Sequence, residues 1–157
     1  MSSLLVNTII LIFAALGCLA IGAVVLNNPP LYDSPGFLVR MKTYLTTNIA
    51  ETRRDHDFPE LELRCYNVAP ANLLTYLEKA IIVLGWEVLE SDARQHHIKA
   101  VTETALLKFK DDIEIQLQLA DCGTELHIRS SSRTGRGDFA ANTRHILDLM
   151  ETLARVT

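Results

Sequence analysis

The chain has 157 residues, room for one domain of ordinary size and an additional segment rather than two domains. Hydrophobic residues make up 48 %, the formal net charge is −4 and the pI is near 5.7, a balance that argues against a general nucleic-acid binder. No P-loop, dinucleotide fingerprint, HExxH helix or CxxC pair occurs, so those nucleotide, zinc-protease and redox chemistries have no signature here.

Leu4 to Leu26 is an uncharged run of 23 residues, interrupted only by Asn7, Thr8, Gly17 and Gly22. At about 1.5 Å of rise per residue it exceeds a hydrocarbon core of about 30 Å, which predicts a transmembrane helix over 4–26 and a cell-membrane, single-pass protein. A cleaved signal would carry a basic start and a shorter apolar core, and Met1-Ser2-Ser3 has no Lys or Arg. A retained anchor is therefore favoured. Cys18 follows Ala15-Leu16-Gly17 as in a lipoprotein box, but the apolar run continues past it. Arg40 and Lys42 follow the span and favour a cytoplasmic C-terminal domain. Cys65 and Cys122 read as buried free thiols, with a disulfide as the alternative in an oxidising compartment.

Residues 27–60 form a linker and juxtamembrane segment. Pro29, Pro30, Pro35 and Gly36 stop the helix. Phe37, Met41, Tyr44, Leu45 and Asn48 then recur at helical spacing over Phe37–Ile49. Two readings stand open: an amphipathic helix on the membrane surface, or a strap packed on the domain. Ala50–Pro59 reads as polar loop.

Residues 61–157 read as an α+β domain. Leu61–Val68 is a predicted strand. Pro70 opens a helix whose stripe is Leu73, Leu77, Ile81 and Leu84, and Gly85 suits its end. Trp86–Ser91 and His97–Thr104 are predicted strands. Asp111–Ala120 is the clearest strand: Ile113, Ile115, Leu117 and Leu119 share one face, and Asp112, Glu114, Gln116 and Gln118 the other. Glu125–Arg133 pairs back on it. A turn centred on Cys122-Gly123 would set Leu119 opposite Leu126, Leu117 opposite Ile128 and Asp112 opposite Arg133. Asp138 caps a final helix with Phe139, Ile146, Leu149, Leu153 and Val156 inside. Asn142 falls on that inner stripe and needs partners, for which the preceding loop backbone is nearest. The order β-α-β4-α predicts an antiparallel sheet with two helices on one face, similar to the TATA-binding-protein-like (TBP-like) and helix-grip folds.

Two stretches stand out. One is Phe109-Lys110-Asp111-Asp112-Ile113-Glu114. The other is Arg129-Ser130-Ser131-Ser132-Arg133-Thr134-Gly135-Arg136-Gly137-Asp138, followed by Asn142 and Arg144. Over Leu61–Leu153 the chain resembles DUF1499, a bacterial and plastid family of unknown function. Its pattern is similar to F-x-D-D-x-E, then R-S-x-S-R-x-G-x-x-D, then N and R in the last helix. The stretch from Leu45 to Leu61 is similar to one membrane-anchored subgroup. No activity follows from the resemblance, and some relatives look exported, which opposes the charge-based orientation.

The resemblance marks Asp111, Asp112, Glu114, Arg129, Ser131, Arg133, Gly135, Arg136, Asp138, Asn142 and Arg144 as ligand- or partner-binding candidates. Asp111 and Asp112 are adjacent on a strand, point to opposite faces and cannot act as a carboxylate pair. The plainer reading pairs Asp112 with Arg133 and gives Asp111 to loop amides. Ser131 and His127 share a face but lie about 13 Å apart along the strand, too far for a nucleophile and its base. Arg129, Arg133 and Arg136 precede a helix N-terminus where an anion could bind, although Asp138 already occupies it. His56, His96 and His97 lack metal-ligand spacing, so no metal and no cofactor is expected. The leading expectation is a non-enzymatic accessory or assembly subunit, anchored in the bilayer through 4–26 and bound to a membrane-protein partner. The alternatives are a protein that binds or transfers a lipid or a small apolar or anionic ligand, and an enzyme of unrecognised type.

Overall fold

In the computed structural model, which describes residues 3–157, the chain begins with α1 (Ser3–Asn27), a 25-residue helix apolar on every side. It is long and apolar enough to cross a membrane, and only Ala23 and Val24 near its end are buried. Helix α2 (Phe37–Thr46) follows the proline-rich exit. It buries Arg40 and Tyr44, one turn apart, and leaves Phe37 and Leu38 exposed, with Tyr32 stacked on Phe37. The segment is thus a strap packed on the domain.

The strap is held by a buried ion pair. The Arg40 guanidinium is fully buried and donates to both carboxylate oxygens of Glu60, at 2.6 and 2.9 Å. It also donates to the Tyr44 hydroxyl and to the carbonyls of Asp33 and Ser34, and it lies 4.3 Å over the Phe58 ring. The forked guanidinium suits this bidentate arrangement, and every donor direction left over finds an oxygen.

The sheet is antiparallel, with order β1 (Ile49–Glu51), β6 (Gly123–Ser132), β5 (Lys110–Ala120), β4 (His97–Glu103) and β3 (Glu87–Asp92). A short β2 (Arg64–Tyr66) shares the outer edge of β6 with β1. Thr52 bridges the gap between them: its N–H reaches the Ile128 carbonyl at 2.9 Å, and its hydroxyl accepts from the Ile128 N–H. Helices α3 (Pro70–Val83) and α4 (Ala141–Val156) cover one face of the sheet. Their buried Leu73, Leu77, Ile81, Ile146, Leu149 and Leu153 meet Ile98, Ile113, Ile115, Leu126 and Ile128. These side chains occupy the space between α4 and the sheet.

Several sequence expectations change. Ala50–Pro59 is not simply polar loop, because Ile49–Glu51 pairs with Arg129–Ser131 as β1. The strand expected over Leu61–Val68 shrinks to Arg64–Tyr66, because Pro59 starts a 3-10 turn that ends at Leu61. The β5–β6 hairpin turns at Asp121-Cys122, setting Leu117 opposite Leu126 and Ile115 opposite Ile128. This differs from the expected register by two residues, so every side chain keeps its face. Gly123 decides it: its φ is +121°, and a Cβ there would collide with the Tyr66 carbonyl. Cys65 and Cys122 are not free thiols; they form a disulfide joining β2 to this turn, with Cα atoms 6.3 Å apart.

Removing one partner of the strap's ion pair leaves a charge buried alone. Glu60→Ala is expected to lower stability by about 3–5 kcal/mol. Chemical unfolding of the variant checks this, and an unchanged midpoint would show that α2 is held by apolar contacts instead.

Candidate functional site

The alternation of β5 sorts the acidic candidates onto two faces, as residue spacing requires. On the outer face Arg133 donates from Nε and Nη2 to both oxygens of Asp112, at 2.6 to 3.1 Å. These bonds hold the Asp112 carboxyl below its ordinary range. Beside them Arg129 donates to the Ser131 hydroxyl at 3.2 Å and lies 3.9 Å from the Glu114 carboxylate. All of these groups are exposed or half-exposed, so the pairs are screened by water and salt and contribute little to the fold.

Asp111 faces inward and is fully buried. It accepts from His145 Nε2 of α4 at 2.9 Å, not from loop amides. Its other oxygen meets no donor among the described residues. His145 packs edge-on against Trp86, with ring centroids 5.9 Å apart. His145 and Trp86 were not singled out as partners by sequence, because 34 residues separate Asp111 from His145.

Behind this pair lies a second buried polar cluster. The Asn142 side chain donates to the Asn48 carbonyl at 2.9 Å and to the Ser132 hydroxyl at 3.0 Å, and accepts from the Ser130 hydroxyl at 2.6 Å. Its partners are therefore β6 and the α2–β1 junction, not the preceding loop. Asp138 accepts from the N–H groups of Ala140 and Asn142, at 2.9 and 3.1 Å, and so caps α4 although the helix proper begins at Ala141. Phe139 and Ala140 take positive φ to allow it. Burial pushes the Asp138 carboxyl up, against the pull of those hydrogen bonds. The loop is also knitted to the end of α2. The Asp138 and Phe139 N–H groups reach the Thr47 and Tyr44 carbonyls, and a Cβ on Gly137 would strike the Leu45 carbonyl.

Where this loop meets the end of α1, a pocket of about 290 Å³ opens. Its walls are Ala23, Leu26 and Asn27 of α1, the β4–β5 loop from Thr104 to Phe109, and the β6–α4 loop from Thr134 to Phe139. Asn27 Nδ2 donates to the Phe139 carbonyl at 2.8 Å and fixes α1 to the pocket floor. Leu106, Leu107 and Phe109 are 42–45 % exposed there. The exposed lining surface is predominantly apolar, and Asn27, Thr104, Ser132, Thr134, Arg136 and Asp138 supply its polar groups.

A family model described as a protein of unknown function, DUF1499, matches residues 38–153. The chain belongs to the DUF1499 family. The match takes in α2 and β1 as well as the region after Leu61. A crystal structure of a structural-genomics target protein from Chromobacterium violaceum is similar over 69 % of this chain and 94 % of that one, at 14 % identity and a TM-score of 0.35. No curated protein matches the chain.

The residues marked by the DUF1499 pattern fall in separate places. Asp112, Glu114, Arg129, Ser131 and Arg133 lie on the outer sheet face, and Asp111 lies under α4. Asp138 and Asn142 hold the start of α4. The Gly135 carbonyl accepts from Asn48 Nδ2 at 2.9 Å, at a φ of +89°. Arg144 pairs with Asp148 and Glu151 on the surface of α4. Gly135, Arg136 and Asp138 line the apolar pocket, and Arg136 has no acidic partner among the described residues. Among the described residues no cluster of three or more His, Cys, Asp or Glu side chains could hold a metal ion.

Asn142→Ala strands the Ser130 hydroxyl and the Asn48 carbonyl, with an expected loss of about 1–3 kcal/mol in chemical unfolding. Asp138 carries a pH signature. Because its carboxyl is raised in the folded state, its contribution is fully present below the ordinary carboxylate value and is lost as pH rises through the raised one. Asp138→Asn is therefore expected to flatten that decline when unfolding is measured at stepped pH. An identical slope in the variant would exclude Asp138 as its source.

Proposed function

We propose that this DUF1499 protein is a membrane-tethered binding domain that works at the bilayer surface on the non-cytosolic side, where its pocket takes hydrocarbon from bilayer lipids. The observation that carries this is the shared wall. The last turn of the apolar helix α1 lines the pocket, so a bilayer spanned by α1 ends where the pocket opens. Tyr32, Phe37 and Leu38 are exposed near the exit of α1 and suit the interfacial zone. The Cys65–Cys122 disulfide supports an oxidising compartment. It outweighs the basic residues after α1, since Arg40 has a structural use inside the domain.

At about 290 Å³ the pocket sits at the lower limit of ordinary ligand sites, roughly 300–1,000 Å³. It is too small to enclose a two-chain lipid. The reading is therefore a site for part of a lipid that remains in the bilayer, not a carrier. The helices α3 and α4 lie over the antiparallel sheet, and the lipid site lies outside that layer.

A second reading, a protein-binding accessory subunit, is favoured by the outer edge of β3. Among the described residues Glu87–Asp92 pairs with β4 alone, and Val88 and Leu89 on it are exposed, as are Ile82 and Val83 of α3. Such an edge can accept a partner strand.

Two measurements test the main reading on full-length protein. In intact cells Cys65 and Cys122 are expected to resist a membrane-impermeant maleimide until an impermeant reductant is added. Labelling only after lysis would place the domain in the cytosol. Phosphatidylcholine with a photoreactive acyl chain is expected to crosslink residues 104–109 and 134–139. Crosslinks confined to residues 4–22 would mean that the pocket stays empty of lipid.

A further inference from the structure

We infer that the pocket selects a phospholipid of net negative charge and that Arg136 is the group that reads its phosphate. This rests on the lipid reading above. It begins with the arginines that cluster around the β6–α4 loop. Arg133 is held by Asp112, Arg129 lies beside Glu114, and Arg144 is shared by Asp148 and Glu151. Arg136 has no carboxylate partner and no side-chain hydrogen bond among the described residues, and it is exposed at the pocket. The fold makes no evident use of its charge.

Its position gives the charge a use. The opposite walls are Leu26 of α1 and Leu106, Leu107 and Phe109 of the β4–β5 loop. Leu26 is the last apolar residue before Asn27 and the proline-rich exit. A lipid chain lying along those apolar side chains puts its headgroup at the level of Asn27, where the Arg136 loop lies. A guanidinium there presents a planar fork to phosphate oxygens and binds them with charge-assisted hydrogen bonds.

The loop is also preorganised. Gly137 packs against the Leu45 carbonyl, Asn48 holds the Gly135 carbonyl, and Asp138 is fixed as the cap of α4. Arg136 therefore projects from backbone pinned on both sides. The nearest carboxylate in the pocket lining, Asp138, has both oxygens engaged by N–H groups, so it does not take the place of the phosphate.

The occupant is a lipid of the surrounding bilayer. The apolar walls need a chain, and a free phosphate would leave them uncovered. A zwitterionic lipid also carries a phosphate, but its own cation competes with Arg136 for it, whereas an anionic glycerol headgroup leaves the phosphate unpaired.

The test uses full-length protein in mild detergent, titrated separately with phosphatidylglycerol and phosphatidylcholine and read by native mass spectrometry. Phosphatidylglycerol is expected to be retained about tenfold more strongly, a difference of about 1.4 kcal/mol. Arg136→Gln, at a side chain with no hydrogen bond or ion pair among the described residues, should leave the thermal unfolding midpoint unchanged and bring phosphatidylglycerol down to the level of phosphatidylcholine. Leu107→Asp should weaken both lipids alike. Equal retention of the two lipids by the wild type, or a preference that survives Arg136→Gln, would overturn the inference while leaving the pocket as a lipid site. Retention of neither lipid would overturn both.

Discussion

A single buried amide sets the geometry on which the rest of the domain depends. Asn142 is fully buried at the start of α4, and the cost of burying an amide is offset only if its donors and acceptor are met. Its three partners come from two places: Asn48 at the α2–β1 junction, and Ser130 and Ser132 on β6. Apolar packing would tolerate small slides of α4 along the sheet, because Ile146, Leu149 and Leu153 present a smooth stripe. The directional bonds of Asn142 permit one position. That position brings Asp138 to the helix start, with positive φ at Phe139 and Ala140, and sets Gly137, Asp138 and Phe139 against the carbonyls of Leu45, Thr47 and Tyr44. The pocket floor is a consequence of this chain of constraints.

The same constraints explain why the Asp, Ser and Arg side chains of the motif do not converge on one point. Alternation along β5 sends Asp111 and Asp112 to opposite faces, so two adjacent carboxylates have separate partners. The serines of β6 divide likewise: Ser130 and Ser132 turn inward to Asn142, and Ser131 turns outward to Arg129. A nucleophile needs a base and an oxyanion site converging on one point. Here polar side chains converge on the helix start instead, and they satisfy each other. Among the described residues three buried side-chain atoms lack a partner, Nδ1 of His96, Oδ1 of Asp111 and Nε2 of His127, and the Asp111 oxygen belongs to the carboxylate that accepts from His145.

Much of the fold was legible wherever the signal is local. Strict alternation over Asp111–Ala120 marked β5. Pro70 and Gly85 bracketed α3, and the uncharged run at the start marked α1. What escaped was set by contacts distant in sequence. β1 has three residues and is a strand only because β6 is there to receive it. The hairpin register depended on Gly123 lying against Tyr66, which periodicity cannot reveal. Arg40 looked like a topology signal because its partner Glu60 lies 20 residues on, beyond a proline loop. For the candidate site, the pattern marked Arg136 together with ten other residues, and nothing in the sequence set it apart from them. Arg136 differs from its neighbouring arginines only through the acids they contact and it does not.

The disulfide and the anchor bear on one another. Cys65 sits in a strand of three residues, too short to hold its place by pairing alone, and the bridge ties it to the β5–β6 turn across 57 residues of chain. A loop of that length restricts the unfolded chain by about 4 kcal/mol in the entropic model, a large share of a small domain's stability. A domain that depends on such a bridge is at a disadvantage in a reducing cytosol, where thiols persist. The basic residues after α1 give little counterweight, because the Arg40 charge is satisfied inside the strap. In the proposed reading the domain hangs from α1 on the oxidising side, and the short, proline-rich exit keeps it against the bilayer. A binding site meant for soluble ligands gains nothing from that tether. A site whose wall is the anchor itself does, because the membrane supplies the ligand at fixed height and high local concentration.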